Sequence, residues 1–126
     1  MKKLLIAAII SLSSVTTAAV AEVKVGIILG FTGPIESLTP AMRDGARMAF
    51  DEASNSGNLL GGETFTILEA DSTCVDSAAA TAAAEQLVAD GVAAIMGADC
   101  SGVTGAVNAN VAVPNGVLMV SPSATS

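Results

Sequence analysis

Four short apolar runs alternate along the chain with segments in which apolar residues recur at helical spacing. β-Branched residues are frequent in these runs, and near-continuous apolar runs are typical of strands buried on both faces of a parallel sheet. The runs are Val23–Leu29, Thr64–Leu68, Val92–Met96 and Val117–Val120. The pattern predicts a βαβαβαβ order, which is an α/β fold with an open parallel sheet and helices on both faces.

Three helices are predicted between the strands. The first begins with Thr39 as its N-cap, because a proline follows at the first helical position. The second is capped by Asp76 or Ser77 and ends before an Asp-Gly pair. We expect Ser101 to cap the third helix, which valine, asparagine and glycine residues weaken. Residues 114–116, with the sequence Pro-Asn-Gly, are expected to form a turn before the last strand.

The first 21 residues have the features of a secretory signal peptide. Met1-Lys2-Lys3 is a basic start, Leu4–Ile10 is an apolar stretch, and Ala19-Val20-Ala21 is an A-x-A cleavage site. The apolar stretch is short for a membrane span, which takes about 20 apolar residues. We therefore expect cleavage, export to the periplasm and a mature part that comprises residues 22–126.

The mature part is acidic. Removal of Lys2 and Lys3 leaves three basic residues against twelve acidic ones. Nucleic acids and anionic membranes bind basic surfaces, so we expect neither as a partner. Only 2% of the residues are aromatic, which predicts a light core. The chain stops soon after the fourth apolar run, and we expect it to be part of a larger domain.

Cys74 and Cys100 are the two cysteines of the chain. In an oxidising compartment two cysteines indicate one disulfide. A redox pair or a metal site is the alternative, but the wide spacing and the lack of histidine argue against both. The glycines after the first run lack the spacing of a dinucleotide-binding loop, and no Walker sequence is present. We expect neither a metal nor a cofactor.

Two serine-rich segments follow the third and fourth apolar runs, at Asp99-Cys100-Ser101-Gly102 and at residues 121–125. In open α/β sheets, ligands bind outside the carboxyl ends of the strands, where the strand order reverses. Ser101 could simply cap a helix, and residues 121–125 could be an ordinary polar turn. Their shared position favours a site that holds a small zwitterion with hydroxyl and free N–H groups.

Catalysis is not indicated. Histidine and tyrosine are absent, and no G-x-S-x-G or S-x-x-K sequence is present to activate a serine. Asp71, Asp76 and Asp99 could lie near the cleft, but scattered aspartates more often cap helices or face solvent. The sequence therefore predicts a binding protein and not an enzyme.

The order and spacing of five segments resemble type I periplasmic binding proteins, and most closely the leucine/isoleucine/valine-binding components of ABC transporters. The segments are Gly33-Pro34, Asp44-Gly45-Ala46, Asp71-Ser72-Thr73-Cys74, Gly97-Ala98-Asp99-Cys100-Ser101 and Ser121–Ser126. The resemblance implies a two-lobed protein that closes around an amino acid by a hinge motion. Residues 22–126 would then be part of the first lobe.

The resemblance also implies roles for individual residues. Ser101 would bind the ligand carboxylate through its hydroxyl and N–H, and Ser123 would offer its carbonyl to the ammonium. Thr125 would use its hydroxyl and N–H at the same headgroup. Cys74 and Cys100 match the disulfide pair of the family.

Two residues depart from the family pattern. Leu38 stands where the branched-chain binders often have an aromatic residue against the ligand side chain. Asp99 stands where an apolar residue is usual, so it could favour a polar or cationic ligand or could point to solvent. The headgroup site is unaffected by these departures.

The function implied is capture of an amino acid, branched-chain or otherwise aliphatic, by a monomeric protein that delivers it to the membrane subunits of an ABC importer. The same fold could instead bind urea, a short amide or an aromatic acid. It could also serve as the ectodomain of a sensory receptor.

Overall fold

A computed structural model describes residues 21–59 and 61–125. Most of the predicted signal peptide, residues 1–20, lies outside the described residues. Within the described part, no helix combines the length and the apolar character that a membrane span requires.

The sheet has four parallel strands in the order β2-β1-β3-β4. The strands are β1 (Glu22–Leu29), β2 (Thr64–Asp71), β3 (Ala94–Gly97) and β4 (Leu118–Val120). The chain moves from β1 to β2 in one direction and returns past β1 to β3, so the strand order reverses between β1 and β3. This arrangement confirms the predicted open parallel sheet.

Helices cover both faces of the sheet. They are α1 (Thr39–Asn55), α2 (Ser77–Ala89), α3 (Ser101–Val107) and α4 (Val113–Asn115), with a π-helical turn at Asn108–Ala112 between α3 and α4. Helix α1 packs on β1 and β2, whereas α2 packs on the opposite face together with α3 and the π-helical turn. The predicted placement of helices on both faces is confirmed.

The hydrophobic core lies between the sheet and the helices α2 and α3. Ile28 and Ile95 point to this face and are fully buried against Leu87, Val103 and other small apolar side chains. A side chain on the neighbouring Gly26 would meet a methyl group of Leu87 at 2.8 Å. Small residues therefore allow α2 to lie close to the sheet, and the core is closely packed here.

The opposite face is less completely covered. Phe50 of α1 packs edge-on against Phe65 of β2, with ring centroids 5.0 Å apart. Beyond this pair, Leu118 and Val120 of β4 are more than half exposed. An apolar groove of about 360 Å³ lies beside the pair and is lined by Val25, Phe50, Phe65, Ala94, Ile95, Met96 and Val120.

The N-cap predictions for two helices are wrong by one residue. The N-cap of α1 is Leu38, and Thr39 is the first helical residue. Thr39 is buried, and its hydroxyl donates to the carbonyl oxygens of Gly30 at 3.3 Å and Glu36 at 3.2 Å. Helix α3 likewise begins at Ser101, after a preceding cysteine N-cap that makes no side-chain cap bond. In each case the hydroxyl serves a neighbouring loop and not the helix end.

The other boundary predictions are of mixed accuracy. Asp76 caps α2 as expected, because its carboxylate accepts from the N–H groups of Ala78 and Ala79. The predicted turn at residues 114–116 is instead helical through Asn115. The helix ends at Gly116, which has a φ of 64° in the left-handed region that glycine adopts freely.

Candidate functional site

Four loops meet at the carboxyl ends of the strands, and we call this edge the carboxyl rim. It comprises residues 30–38 after β1, 72–76 after β2, 98–100 after β3 and 121–125 after β4. Because all four strands are parallel, their carboxyl ends lie on the same side of the sheet. The sequence therefore brings four distant segments to one edge, including the point where the strand order reverses.

Two of the predicted ligand-binding residues are in direct contact at the rim. The Ser101 hydroxyl accepts a hydrogen bond from the N–H of Thr125 at 3.2 Å, across 24 residues of sequence. In this structure the Thr125 N–H is therefore engaged by the protein and is not free for the ligand headgroup, contrary to the expectation from the sequence. Ser101 opens α3, and the N–H groups of the first helical turn have no partner within the helix. The contact therefore places a hydroxyl and free amide groups next to the loop after β4.

The loop after β4 is shaped by Ser121. Its hydroxyl donates to the carbonyl oxygen of Ala98 and accepts from the N–H of Ala124 at 2.9 Å. It also lies 3.4 Å from the N–H of Ser123. Sequence reasoning did not single out Ser121 as a site residue. A serine before proline in a turn was the available signal, since serine hydroxyls often bond to main-chain groups two or three residues on.

Ser123 joins the same loop to the loop after β3. Its hydroxyl donates to the main-chain oxygen of Asp99 at 2.7 Å. Ser101, Ser123 and Thr125 are thus brought together by hydrogen bonds between two neighbouring loops.

Asp99 has a different environment from the one that its sequence position suggested. Its residue exposure is 4%, so the expectation that it could point to solvent is wrong. One carboxylate oxygen accepts from the N–H of Gly30 at 2.8 Å. The other accepts from the Ser72 hydroxyl at 3.2 Å and from the N–H of Cys100 at 3.0 Å. These donors stabilise the buried charge.

Leu38 lies in the loop after β1 and is 57% exposed. Its N–H donates to the carbonyl oxygen of Ile35 at 2.9 Å. The hydrogen bonds that join Ser101, Ser123 and Thr125 do not include it. Leu38 therefore stays a prediction for contact with a ligand side chain.

A disulfide joins Cys74 to Cys100, with Cα atoms 5.2 Å apart, and confirms the predicted bridge. It ties the loop after β2 to the residue that precedes α3. Thr73 and Cys74 both have positive φ values, 58° and 68°. This left-handed conformation costs a non-glycine residue about 1–2 kcal/mol. The bridge and the hydrogen bonds around Thr73 hold the loop in this shape.

Asp71, at the end of β2, bridges two loops of the rim. Its carboxylate accepts from the hydroxyl of Thr32 at 2.5 Å and from its N–H at 3.3 Å, and also from the N–H of Thr73 at 2.8 Å. Burial alone would raise the pKa of the Asp71 carboxyl, but hydrogen bonds from Thr32, Thr73 and Phe31 outweigh it and lower the pKa. Asp71 is therefore a charged clamp between the loops after β1 and β2.

The chemistry available at the rim is that of hydrogen bonding. Within residues 21–59 and 61–125, no group of three or more histidine, cysteine or acidic side chains is arranged to hold a metal ion. The carboxylates of Asp71 and Asp99 are both engaged by protein donors. Hydroxyl, N–H and carbonyl groups at the edge of an α/β sheet are the kinds of group with which proteins bind small polar molecules.

The chain belongs to the periplasmic binding protein family, whose model matches residues 22–126. Within the family it has the type I fold of the proteins that serve branched-chain amino acid ABC transporters.

Two curated relatives illustrate the similarity. The Leu/Ile/Val-binding protein BraC3 of Rhizobium johnstonii is 34% identical over 84% of this chain and 28% of its own length. The leucine-specific-binding protein of Salmonella typhimurium is 31% identical over 98% of this chain and 33% of its own length. These relatives are substrate-binding proteins and not enzymes.

Solved structures agree with the fold. A branched-chain amino acid transporter substrate-binding protein from Streptococcus pneumoniae, in complex with isoleucine, is 31% identical with a TM-score of 0.75. The match covers 83% of this chain and 30% of the Streptococcus pneumoniae chain. A substrate-binding protein from Desulfitobacterium hafniense in complex with leucine is 26% identical with a TM-score of 0.67, over 83% of this chain and 30% of its own.

The chain spans about a third of the length of these relatives. The relatives that are named for amino acids, or solved with them, therefore have about two thirds of their own length that this chain does not match.

Proposed function

We propose that this chain binds the headgroup of an amino acid at its carboxyl rim and belongs to a substrate-binding protein that delivers the ligand to an ABC importer. The observation that carries the proposal is the contact between the Ser101 hydroxyl and the N–H of Thr125. It supports a site in which the start of α3 and the loop after β4 lie close enough to act on one small ligand.

The carboxylate of the ligand is assigned to Ser101. A carboxylate is stabilised near a helix N-terminus, where unpaired N–H groups and the positive end of the helix dipole coincide. The Ser101 hydroxyl already accepts from Thr125 and keeps its own hydrogen to donate to the ligand. The N–H of Ser101 supplies a second donor from the same residue.

The ammonium of the ligand is assigned to the loop after β4. We assign the carbonyl oxygen of Ser123 and the hydroxyl of Thr125 as acceptors for it. The Ser123 hydroxyl bonds to Asp99, which supports a fixed orientation for the main chain of this loop. A main-chain carbonyl recognises any α-amino acid, so this contact does not discriminate between side chains.

The side chain of the ligand is proposed to be aliphatic. Leu38 provides exposed apolar surface in the loop after β1. The Asp99 carboxylate is engaged by three protein donors, which weakens the case for a cationic ligand. The relatives named for leucine, isoleucine and valine support the same preference.

We also propose where the protein is located in the cell and how its chain is divided. Residues 1–21 act as a cleaved signal peptide, and residues 22–126 form part of the first lobe of a monomeric periplasmic protein. The Cys74–Cys100 disulfide supports an oxidising compartment. The excess of acidic residues supports the absence of nucleic-acid partners.

The test is calorimetric titration of the full-length mature protein, of which residues 22–126 are proposed to be one part, with isoleucine, leucine and alanine. Ser101→Ala should weaken binding of all three amino acids by a similar factor, about tenfold, because it removes a charge-assisted hydrogen bond to the shared carboxylate. Thr81→Ala is the control, since it removes a hydroxyl bond within α2 and none to Ser101 or to the loop after β4. A preference for urea, a short amide or an aromatic acid over every amino acid would contradict the ligand class.

A further inference from the structure

We infer that Asp99 is a positioning residue for the carboxyl rim, and the inference rests on the proposed function of that rim. Asp99 follows β3 and is bonded to the loops after the other three strands. Its carboxylate accepts from Gly30 after β1 and from Ser72 after β2. Its main-chain oxygen accepts from Ser123 after β4. One residue therefore joins all four loops of the candidate site.

Both oxygens of the Asp99 carboxylate are needed for these bonds. One accepts from Gly30, and the other accepts from Ser72 and from the N–H of Cys100. At 4% exposure, water has little access to replace a lost partner. An asparagine of the same shape would turn an NH2 group toward at least one N–H or O–H donor, so a buried donor would lose its acceptor.

The Asp99 bonds act on the residues adjacent to the proposed headgroup contacts. The bond from the N–H of Cys100 fixes the residue before Ser101. The bond from the Ser123 hydroxyl fixes the loop that carries Thr125. Asp99 thereby sets the relative position of the Ser101 hydroxyl and the Thr125 N–H without touching the ligand itself.

The loop after β1 is fitted closely to this arrangement. A side chain on Gly30 would lie 3.1 Å from the Cβ of Cys74 and 3.4 Å from the Asp99 carboxylate. Gly30 therefore lies directly between the disulfide and the buried charge. Such close packing leaves the rim little freedom to adjust if the carboxylate changes.

The experiment compares Asp99→Asn with Ser54→Ala in the mature protein. Ser54 is the matched control because its hydroxyl also joins two elements through a partly buried pair of bonds, to Phe50 and Phe65. Those bonds lie near the amino end of β2, at the side of the sheet that is opposite the carboxyl rim. For each variant, the melting temperature, the isoleucine affinity under fully folded conditions and the amide resonances of Gly30 and Thr125 are measured.

We expect both variants to melt earlier, but only Asp99→Asn to lose affinity, by about tenfold or more, since small misplacements of binding groups are costly. We also expect the Gly30 and Thr125 amide resonances to move in Asp99→Asn alone. An Asp99→Asn protein that melts earlier yet binds isoleucine as the control does would overturn the inference and leave the proposed function intact.

Two further outcomes are decided by the same design. If the unaltered protein does not bind isoleucine, the proposed function fails, and the amide resonances judge the inference: an unmoved Thr125 resonance in Asp99→Asn overturns it. If Asp99→Asn does not fold, Ser72→Ala replaces it, because it removes one donor and keeps the carboxylate. A smaller loss of affinity or a shifted Thr125 resonance supports the inference, and no change in either overturns it.

Discussion

Gly97 shows how strictly a single position at the end of β3 is determined. Its φ is 132°, a conformation that residues with side chains rarely adopt. A Cβ at this position would overlap the carbonyl oxygen of Ile28, a main-chain atom of the inner strand β1. The strand cannot yield without breaking its own pairing, so the position requires glycine.

Gly97→Ala should therefore cost more than about 4 kcal/mol or prevent folding, as severe main-chain conflicts do. Gly45→Ala is the matched control, because Gly45 lies within α1 and nothing stands within 4 Å of its added Cβ. The control should gain about 0.5–1 kcal/mol from higher helix propensity. Urea unfolding followed by circular dichroism measures both. Equal stability of the two variants would contradict the conflict at Ile28.

Asp71 gives the rim a defined dependence on pH. Because hydrogen bonds lower its folded-state pKa, its charged form stabilises the fold above its ordinary pKa, and this contribution is lost as the pH falls through the lowered value. Asp71→Asn should cost about 1–2 kcal/mol at neutral pH. The free energy of unfolding of this variant should also fall less steeply than that of the unaltered protein below about pH 4.

Urea unfolding at several pH values between neutrality and acid measures the effect of Asp71→Asn. Asp51→Asn, on the exposed surface of α1, is the control. If Asp51→Asn reduces the acid-induced loss of stability as much as Asp71→Asn does, the Asp71 bonds between the loops after β1 and β2 are not the source of the pH dependence.

At the residue scale, the sequence predicted that Ser101 and Thr125 lie at the same edge of the sheet, but it did not predict the hydrogen-bond partners of Asp99. Ser101 and Thr125 were placed at one edge from their positions after two strands, and the structure brings them into contact. The burial of Asp99 was not predictable, because its donors come from Gly30 and Ser72, which are distant in sequence. Only the three-dimensional pairing of strands brings these donors together.

At the element scale, strand and helix types followed from periodicity and both ends of α2 were predicted correctly, whereas several other ends were not. Strand β2 extends to Asp71, three residues beyond its predicted end, because it pairs with β1 along all eight residues. The segment at residues 113–115 is helical despite its proline, since α3 continues through a π-helical turn. Both differences arise from neighbouring elements and not from local preference.

The disulfide is the strongest constraint between elements at the rim. Replacing Cys74 and Cys100 by serine should lower the free energy of unfolding by about 3–4 kcal/mol, the chain-entropy value for a loop of this length. Release of the left-handed conformation at Thr73 and residue 74 offsets part of this loss. Thermal unfolding of the double variant and of the reduced unaltered protein should give matching losses. A double variant as stable as the oxidised protein would show that the bridge adds nothing.

At the scale of the whole molecule, ligand binding and stability should be separable in space. If the carboxyl rim holds an amino acid, isoleucine should slow hydrogen exchange in residues 99–104 and 121–125. Residues 56–59 and 61–63, which lie before β2 at the amino ends of the strands, should exchange at an unchanged rate. Exchange measured by mass spectrometry with and without isoleucine tests this. Uniform slowing across both edges would indicate general stabilisation and not a site at the rim.

The four loops of the rim also have a consequence for how the protein matures. Their contacts join Gly30 to Asp99 across 69 residues and Asp99 to Ser123 across 24 residues. Such long-range closures form late, because the intervening chain must first be ordered. A chain in which β4 had not yet paired with β3 would lack the bonds from the loop after β4 to Asp99 and Ser101. If the rim holds a ligand as proposed, only a chain whose last loop has docked on Asp99 and Ser101 offers the complete site.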